Sequence, residues 1–215
     1  MSEVFIPKNI IMKYAKELKP NSIYIYLQLL CKSEGQIFIQ TNRKEIKEWT
    51  GIAENKQTEF IEELKSKGLL TELTVDDYGE LLSDYLGEDC SDVPIGRYEL
   101  LFSLEIAWET AIDDGGFIKL PKELIVLKEV ELEGKKIKIK PRHIILLILH
   151  CILAENKGYS FANLKYLGDT LGLSERQIIR LNNELILVEL LKKDQEIIIK
   201  GHNDIKKENY YYPCI

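Results

Sequence analysis

Apolar residues recur at helical spacing along most of this chain and give way to alternation in only a few short runs. The sharpest helical stretch is "LGLSERQIIRLNNEL", Leu171 to Leu185. At 100° per residue, Ile178, Leu181 and Leu185 fall on one side, while Arg176, Arg180 and Asn183, flanked by Gln177, cluster on the other. Ser174 is the predicted N-cap, and Gln177 three residues later completes a capping box, which satisfies backbone donors left orphaned at the helix start. Earlier in the chain the pattern predicts a short helix after Pro7, a second from Asn21 to about Ser33 and a third from about Asn42 to Trp49. A tight turn at Gly51 then leads to a fourth from Glu54 to Lys67, closed by Gly68. Two β-prone runs in "LLKKDQEIIIKG" predict a hairpin around Asp194-Gln195. Another hairpin is predicted in "IVLKEVELEGKKIKIK", turning at Glu133-Gly134.

The same pattern occurs twice. "KPNSIYIYLQLLCK" from Lys19 falls on "KPRHIILLILHCIL" from Lys140, a shift of 121 positions, and the same shift lays "GIAENKQTEFIEELKSKGLL" over "GLSERQIIRLNNELILVELL". Upstream, "FIPKNII" from Phe5 is matched to "FIKLPKELI" from Phe117. The expected class is mainly α with small β wings, built as two tandem winged helix-turn-helix domains. A small helical bundle with a stray hairpin is the generic alternative. Residues 1–112 form the first expected domain, its wing split by an acidic insertion at 74–96 between "LLTELTV" and "GRYELLFSLEI". Residues 113–215 form the second, with an extra basic hairpin at 126–140, and Asp113-Asp114-Gly115-Gly116 is the expected joint.

Charge divides along the same line. The chain of 215 residues carries net charge -6, but the first 112 residues hold 12 Lys/Arg against 20 Asp/Glu and the remainder 17 against 15. Seven acids and no base lie between Thr74 and Gly96. Cys31, Cys90, Cys151 and Cys214 are far apart with no CxxC pair and no signal peptide ahead of them, so reduced thiols in a cytoplasmic setting are expected. The longest apolar run, Ile144 to Ala154, is interrupted by His150 and falls short of the ~18–20 residues a bilayer requires. It reads as a buried helix.

At this point a likeness can be stated. "FIPKNII…KPNSIYIYLQLL…GIAENKQTEFIEELKSKGLL" resembles the amino-terminal winged helix of phage and plasmid replication initiators and replisome organisers. Those typically open with Phe-x-x-Pro, continue with an apolar helix containing Tyr-x-x-Leu, and finish with a Gly-Leu pair. The second unit is similar to the pattern Gly-Leu-Ser-x-Arg-x-Ile-x-Arg of many bacterial winged helices, although Glu189 stands where a Gly usually precedes the final leucines. The resemblance implies duplex DNA as partner, frequent dimerisation and no catalytic residue. Transcription regulators share every element of it.

In a helix-turn-helix the outward face of the last helix enters the major groove. Arg176, Arg180, Asn183 and Gln177 are then candidates for base edges, and Ser174 with the helix start for a phosphate. Lys136, Lys138 and Lys140, on one face of a strand, and Lys192, Lys193 and Lys200, on the second wing, are candidate phosphate contacts, with Lys206 and Lys207 beyond. In the first unit Asn55, Glu59 and Glu62 occupy the places of Arg176, Arg180 and Asn183, which suits positioning, dimerisation or recruitment better than base reading. Tyr78, Leu81, Leu82, Tyr85 and Leu86 recur at helical spacing and make a candidate partner-binding segment, or one that packs on its own wing. The near-wholly apolar helices from Asn21 and Arg142 require cover from the other unit or from a homodimer partner. Tyr210, Tyr211 and Tyr212 suit base stacking, an interface or plain packing.

No P-loop, dinucleotide turn or HExxH stretch is present, and His143 and His150 read as packing or capping residues. No enzyme activity, cofactor, metal or membrane association is expected. The leading expectation is sequence-specific DNA binding in plasmid or phage replication initiation. A transcriptional regulator and a winged-helix interaction module that has lost DNA are the alternatives.

Overall fold

Two parts of the chain share a similar helix-and-strand order among the described residues. A computed structural model describes residues 2–36, 38–74, 100–104, 111–112, 115–201 and 204–214, with backbone alone at 101, 197–201 and 204–207. The first copy runs β1 (Glu3–Pro7), α1 (Lys8–Met12), α2 (Pro20–Lys32), β2 (Phe38–Thr41), α3 (Arg43–Thr50), α4 (Glu54–Ser66), β3 (Thr71–Glu72) and β4 (Leu100–Ser103). The second runs β5 (Phe117–Pro121), α5 (Lys122–Ile125), β6 (Glu129–Leu132), β7 (Lys135–Lys138), α6 (Pro141–Ala154), α7 (Leu164–Leu171), α8 (Glu175–Leu187), β8 (Leu191–Gly201) and β9 (Asp204–Pro213). Among the described residues the result is mixed α/β, eight helices with small antiparallel sheets. The acidic insertion from 75 to 96, with Tyr78, Leu81, Leu82, Tyr85, Leu86 and Cys90, lies outside the described residues, as do Asp113 and Asp114 of the expected joint.

The repeat is clearest at β1 and β5. Val4 and Ile6 are buried as are Ile118 and Leu120; Pro7 and Pro121 each lead into a short helix, burying Ile10 and Ile11 in one and Leu124 and Ile125 in the other. Equivalence here is therefore Pro7 with Pro121, which corrects the match of Phe5 to Phe117. The two strands pair antiparallel, with Val4 opposite Leu120, Phe5 opposite Lys119 and Ile6 opposite Ile118. Phe5 thus faces its own counterpart, and Val4 and Ile6 face each other's. The flanking bonds are reciprocal too: Lys8 N–H donates to Gly116 O and Lys122 N–H to Ser2 O, both at 3.0 Å. A patch that pairs with its own copy in this way is how a two-fold interface is built, here within one chain.

Each copy also covers the other. α1 packs on α6 and α7, while α5 packs on α2. The buried Gln28 Nε2 donates to Ile125 O at 3.0 Å, and Lys8 pairs with Glu155 at 2.6 Å. The turn before α8 lies so close to the chain after α1 that a Cβ on Gly172 would sit 3.3 Å from Lys16 O. α2 and α6 also pack on each other, and every residue from Ser22 to Cys31 and from His143 to Cys151 is buried. The surplus apolar surface noted in the sequence is covered by the other copy, leaving those residues no face for a second subunit. Burial pushes the Cys31 and Cys151 thiols up to about 12, which keeps both as inert core groups.

Sheet order repeats as well. In the first copy it is β2-β4-β3, with Thr71 opposite Ser103 across the acidic insertion. In the second, Ser160 bridges Tyr211 of β9, and β9 pairs with β8. The expected hairpin turn at Asp194-Gln195 does not form. Both residues sit inside β8, opposite Tyr210 and Asn209. Neither offers the positive φ that a two-residue turn requires, and the β-prone run simply continues through them. The basic hairpin does turn at Glu133 and Gly134, whose φ values are 50° and 75°. β2, the β1–β5 pair and the length of β8 and β9 raise the strand content above the mainly α expectation.

At the end of α4, Gly68 adopts φ 66°, and Leu69 N–H bonds Leu64 O at 3.1 Å. α8 ends identically, with Leu190 N–H on Leu185 O at 3.0 Å, but the left-handed residue is Glu189 at φ 60°. A side chain there costs about 1 kcal/mol relative to glycine. Glu189→Gly should therefore raise the midpoint of thermal unfolding by roughly 2–4 °C for a chain of this size, followed by circular dichroism. An unchanged or lower midpoint would contradict the strain.

Candidate nucleic-acid interface

α8 is held at both ends and along its inner side. Ser174 Oγ accepts from Gln177 N–H at 3.3 Å, and Gln177 Oε1 accepts from Ser174 N–H at 2.9 Å, so the capping box forms. Ile178, Leu181 and Leu185 are buried. Asn182 is buried beside them and its Oδ1 lies 3.0 Å from His150 Nε2. His143, at the start of α6, accepts from Lys140 N–H on Nδ1 at 2.9 Å and meets Glu184 Oε2 through Nε2 at 2.5 Å. The first copy has the same link: Glu63 accepts from Ser22 Oγ and from Lys19 N–H. Both copies thus tie the start of their longest apolar helix to one turn of the following outer helix.

Seen from outside, Ser174, Arg176, Gln177, Arg180 and Asn183 line one open concavity of about 640 Å³. Arg176, Arg180 and Asn183 are exposed, and Arg180 Nε sits 3.8 Å from Glu184 Oε1, a loose pairing. Arg176 makes no ion pair among the described residues. Ser174 and Gln177 belong to the same surface but bond each other, so their first task is holding the helix start. Sequence reasoning missed Ile179 and Leu187, which line the concavity at 44% and 55% exposure. Their position three residues from Arg176 and four from Asn183 is the signal that could have found them.

Lys136, Lys138, Lys140, Lys192 and Lys193 do not line that concavity. Lys136 and Lys138 are exposed, but β6 sets Glu131 and Glu129 opposite them, and Lys136 pairs with Glu129 at 2.7 Å. That neighbour holds the Glu129 carboxyl below its ordinary value. The hairpin stays net basic, with five Lys against three Glu over 126–140, but Glu129 and Glu131 offset Lys138 and Lys136 across its two strands, a feature hidden while its second strand was read alone. Its base is fixed to the first copy by Lys128 Nζ donating to Glu48 O at 2.6 Å. Lys140 instead caps α6 and lines a separate groove beside Lys56. Lys192 and Lys193 are exposed on β8; Lys200, Lys206 and Lys207 are placed on β8 and β9 by their backbone alone.

On α4 the matching face carries Asn55, Glu59 and Glu62, all exposed. Its carboxylates already have cations: Glu59 binds Lys19, and Glu62 binds Lys65 at 2.8 Å, which also holds Glu72 at 2.8 Å. Hydrogen bonds donated to these carboxylates raise the Lys19 and Lys65 ammonium groups above their ordinary range.

Tyr210, Tyr211 and Tyr212 form part of β9. Tyr211 is buried with its ring 4.9 Å from His150, and Tyr210 stacks on Phe161 at 5.2 Å and meets Tyr159 edge-on at 5.1 Å. This is packing within the second copy. Among the described residues no group of three His, Cys, Asp or Glu is placed to hold a metal ion, and no helix is long and apolar enough to cross a membrane. Comparison with family models, curated proteins and solved structures gives no match.

Proposed function

We propose that this chain is a tandem winged helix-turn-helix protein that binds duplex DNA sequence-specifically, with α8 lying in the major groove. The observation that carries the reading is the outer face of α8: two exposed arginines and an asparagine on a helix whose N-cap, core stripe and inner polar contacts fix its orientation. Arg is suited to the O6 and N7 edge of guanine and Asn to that of adenine. The order of α6, Ser160 bridge, α7, α8, β8 and β9 supports a winged helix, as does the same order from α2 to β4. The neutralised acids of α4 suit a first unit that positions or recruits rather than reads. The resemblance to replication initiators favours origin repeats in a plasmid or phage as the target, with an operator as the alternative.

Selection of duplexes from a random pool, followed by anisotropy against salt, tests this. A recovered consensus with log K falling linearly in log salt is expected, because phosphate contacts release counterions. Repeated direct copies near the gene would indicate an origin, and an inverted repeat at a promoter would indicate an operator. The exposed Ile179 and Leu187 favour one rival, a protein-binding module. Absence of any salt-sensitive duplex binding would establish that rival and overturn the proposal.

A further inference from the structure

A second groove, of about 620 Å³, is lined by residues of both copies. α2 and α6 both begin there, each with proline as first residue and no acid in its first turn. Lys140 and Arg142 come from the second copy, Lys19 and Lys56 from the first. Among the lining residues the one carboxylate is Glu59, which Lys19 already holds, and Glu63 beyond the lining is bonded to Lys19 N–H. Lys56, Lys140 and Arg142 make no ion pair among the described residues. The groove is also joined to the concavity. Lys140 bonds His143, His143 bonds Glu184, and Glu184 lines the α8 surface next to Arg180.

Resting on the reading of α8 as a major-groove helix, we propose that this groove holds the sugar–phosphate backbone of the same duplex. Lys56 of the first copy and Arg142 of the second would grip it from opposite walls. Three unengaged cations, Lys56, Lys140 and Arg142, lining one groove complement a polyanion. The first copy then touches DNA without reading it: its α4 offers Lys56 to a phosphate, while its acids stay bound to their own lysines. Contacts of this kind set position and salt dependence but carry no sequence information.

The test compares Lys56→Gln/Arg142→Gln with Lys32→Gln/Lys157→Gln, which removes the same charge from the opposite ends of α2 and α6. Duplex binding is measured by anisotropy across a salt series, on the selected consensus and on scrambled sequence. The groove variant should make the slope of log K against log salt shallower by about 2 and weaken both duplexes equally, preserving their ratio. The control pair should leave the slope unchanged. Equal slopes for the groove variant and wild type, or equal losses from the control pair, overturn the groove. A wild-type protein that binds no duplex overturns the reading of α8 and the groove together.

Discussion

Replacing Arg176 and Arg180 together with alanine is expected to weaken binding to the selected duplex about 100-fold. A well-placed Arg on a guanine edge contributes roughly 1–3 kcal/mol of discrimination, and two of them at about 1.4 kcal/mol each, in the lower part of that range, give this loss. The loss should fall on the consensus and spare scrambled sequence, because base contacts specify while phosphate contacts merely hold. Folding should be unaffected. Both side chains are exposed, Arg176 has no ion pair among the described residues, and Arg180 meets Glu184 only at 3.8 Å. Exposed pairs of that kind contribute little to stability. Lysine at the same positions should restore salt-dependent attraction without restoring preference, since an ammonium lacks the planar fork. An unchanged consensus-to-scrambled ratio in the alanine variant would remove α8 as the reading element.

Lowering pH from 7 to 4 should destabilise the fold by about 3 kcal/mol through His150 alone. The imidazole is fully buried, with Nδ1 3.0 Å from Ser160 Oγ and Nε2 3.0 Å from Asn182 Oδ1. Those neighbours suit a neutral ring that accepts from the hydroxyl and donates to the amide oxygen. Burial pushes its pKa down from 6.5 to about 4. An unfolded chain takes the proton near 6.5, whereas the folded one refuses it until about 4. Stability is therefore fully present above pH 6.5 and drains away as pH falls to 4, at about 1.4 kcal/mol per unit. Urea denaturation at pH 7 and pH 5 should differ by roughly 2 kcal/mol in wild type. In His150→Gln that component should vanish, whatever the variant's absolute stability. An identical pH slope in the two proteins would rule out the histidine as its source.

Much of the helical layout was legible because it depends on local signals. Ser174 with Gln177 and the glycines at 51 and 68 mark helix ends by backbone chemistry that needs no distant partner. The outward set of Arg176, Arg180 and Asn183 was legible for the same reason: a rigid helix turns spacing directly into direction. What failed depended on pairing between remote segments. β1 can be assigned only once β5 is known, and the balanced charge of Lys136 and Lys138 only once β6 is laid against β7. Asp194-Gln195 looked like a turn between two β-prone runs because no strand is read from the sequence where the partner strand, β9, lies. The groove around Lys56 and Arg142 could not be seen at all, since it exists only where two distant helix starts meet.

The antiparallel pairing of β1 with β5 has a consequence for biosynthesis. Glu3 to Pro7 are made more than a hundred residues before their hydrogen-bonding partners, Phe117 to Pro121. The leading half must therefore wait at the ribosome with an open strand edge and an uncovered greasy ridge, a state that invites capture by chaperones or by neighbouring nascent chains. Severing the gene between its halves would make that waiting permanent, and co-expression of the two pieces should rescue soluble product where either alone precipitates.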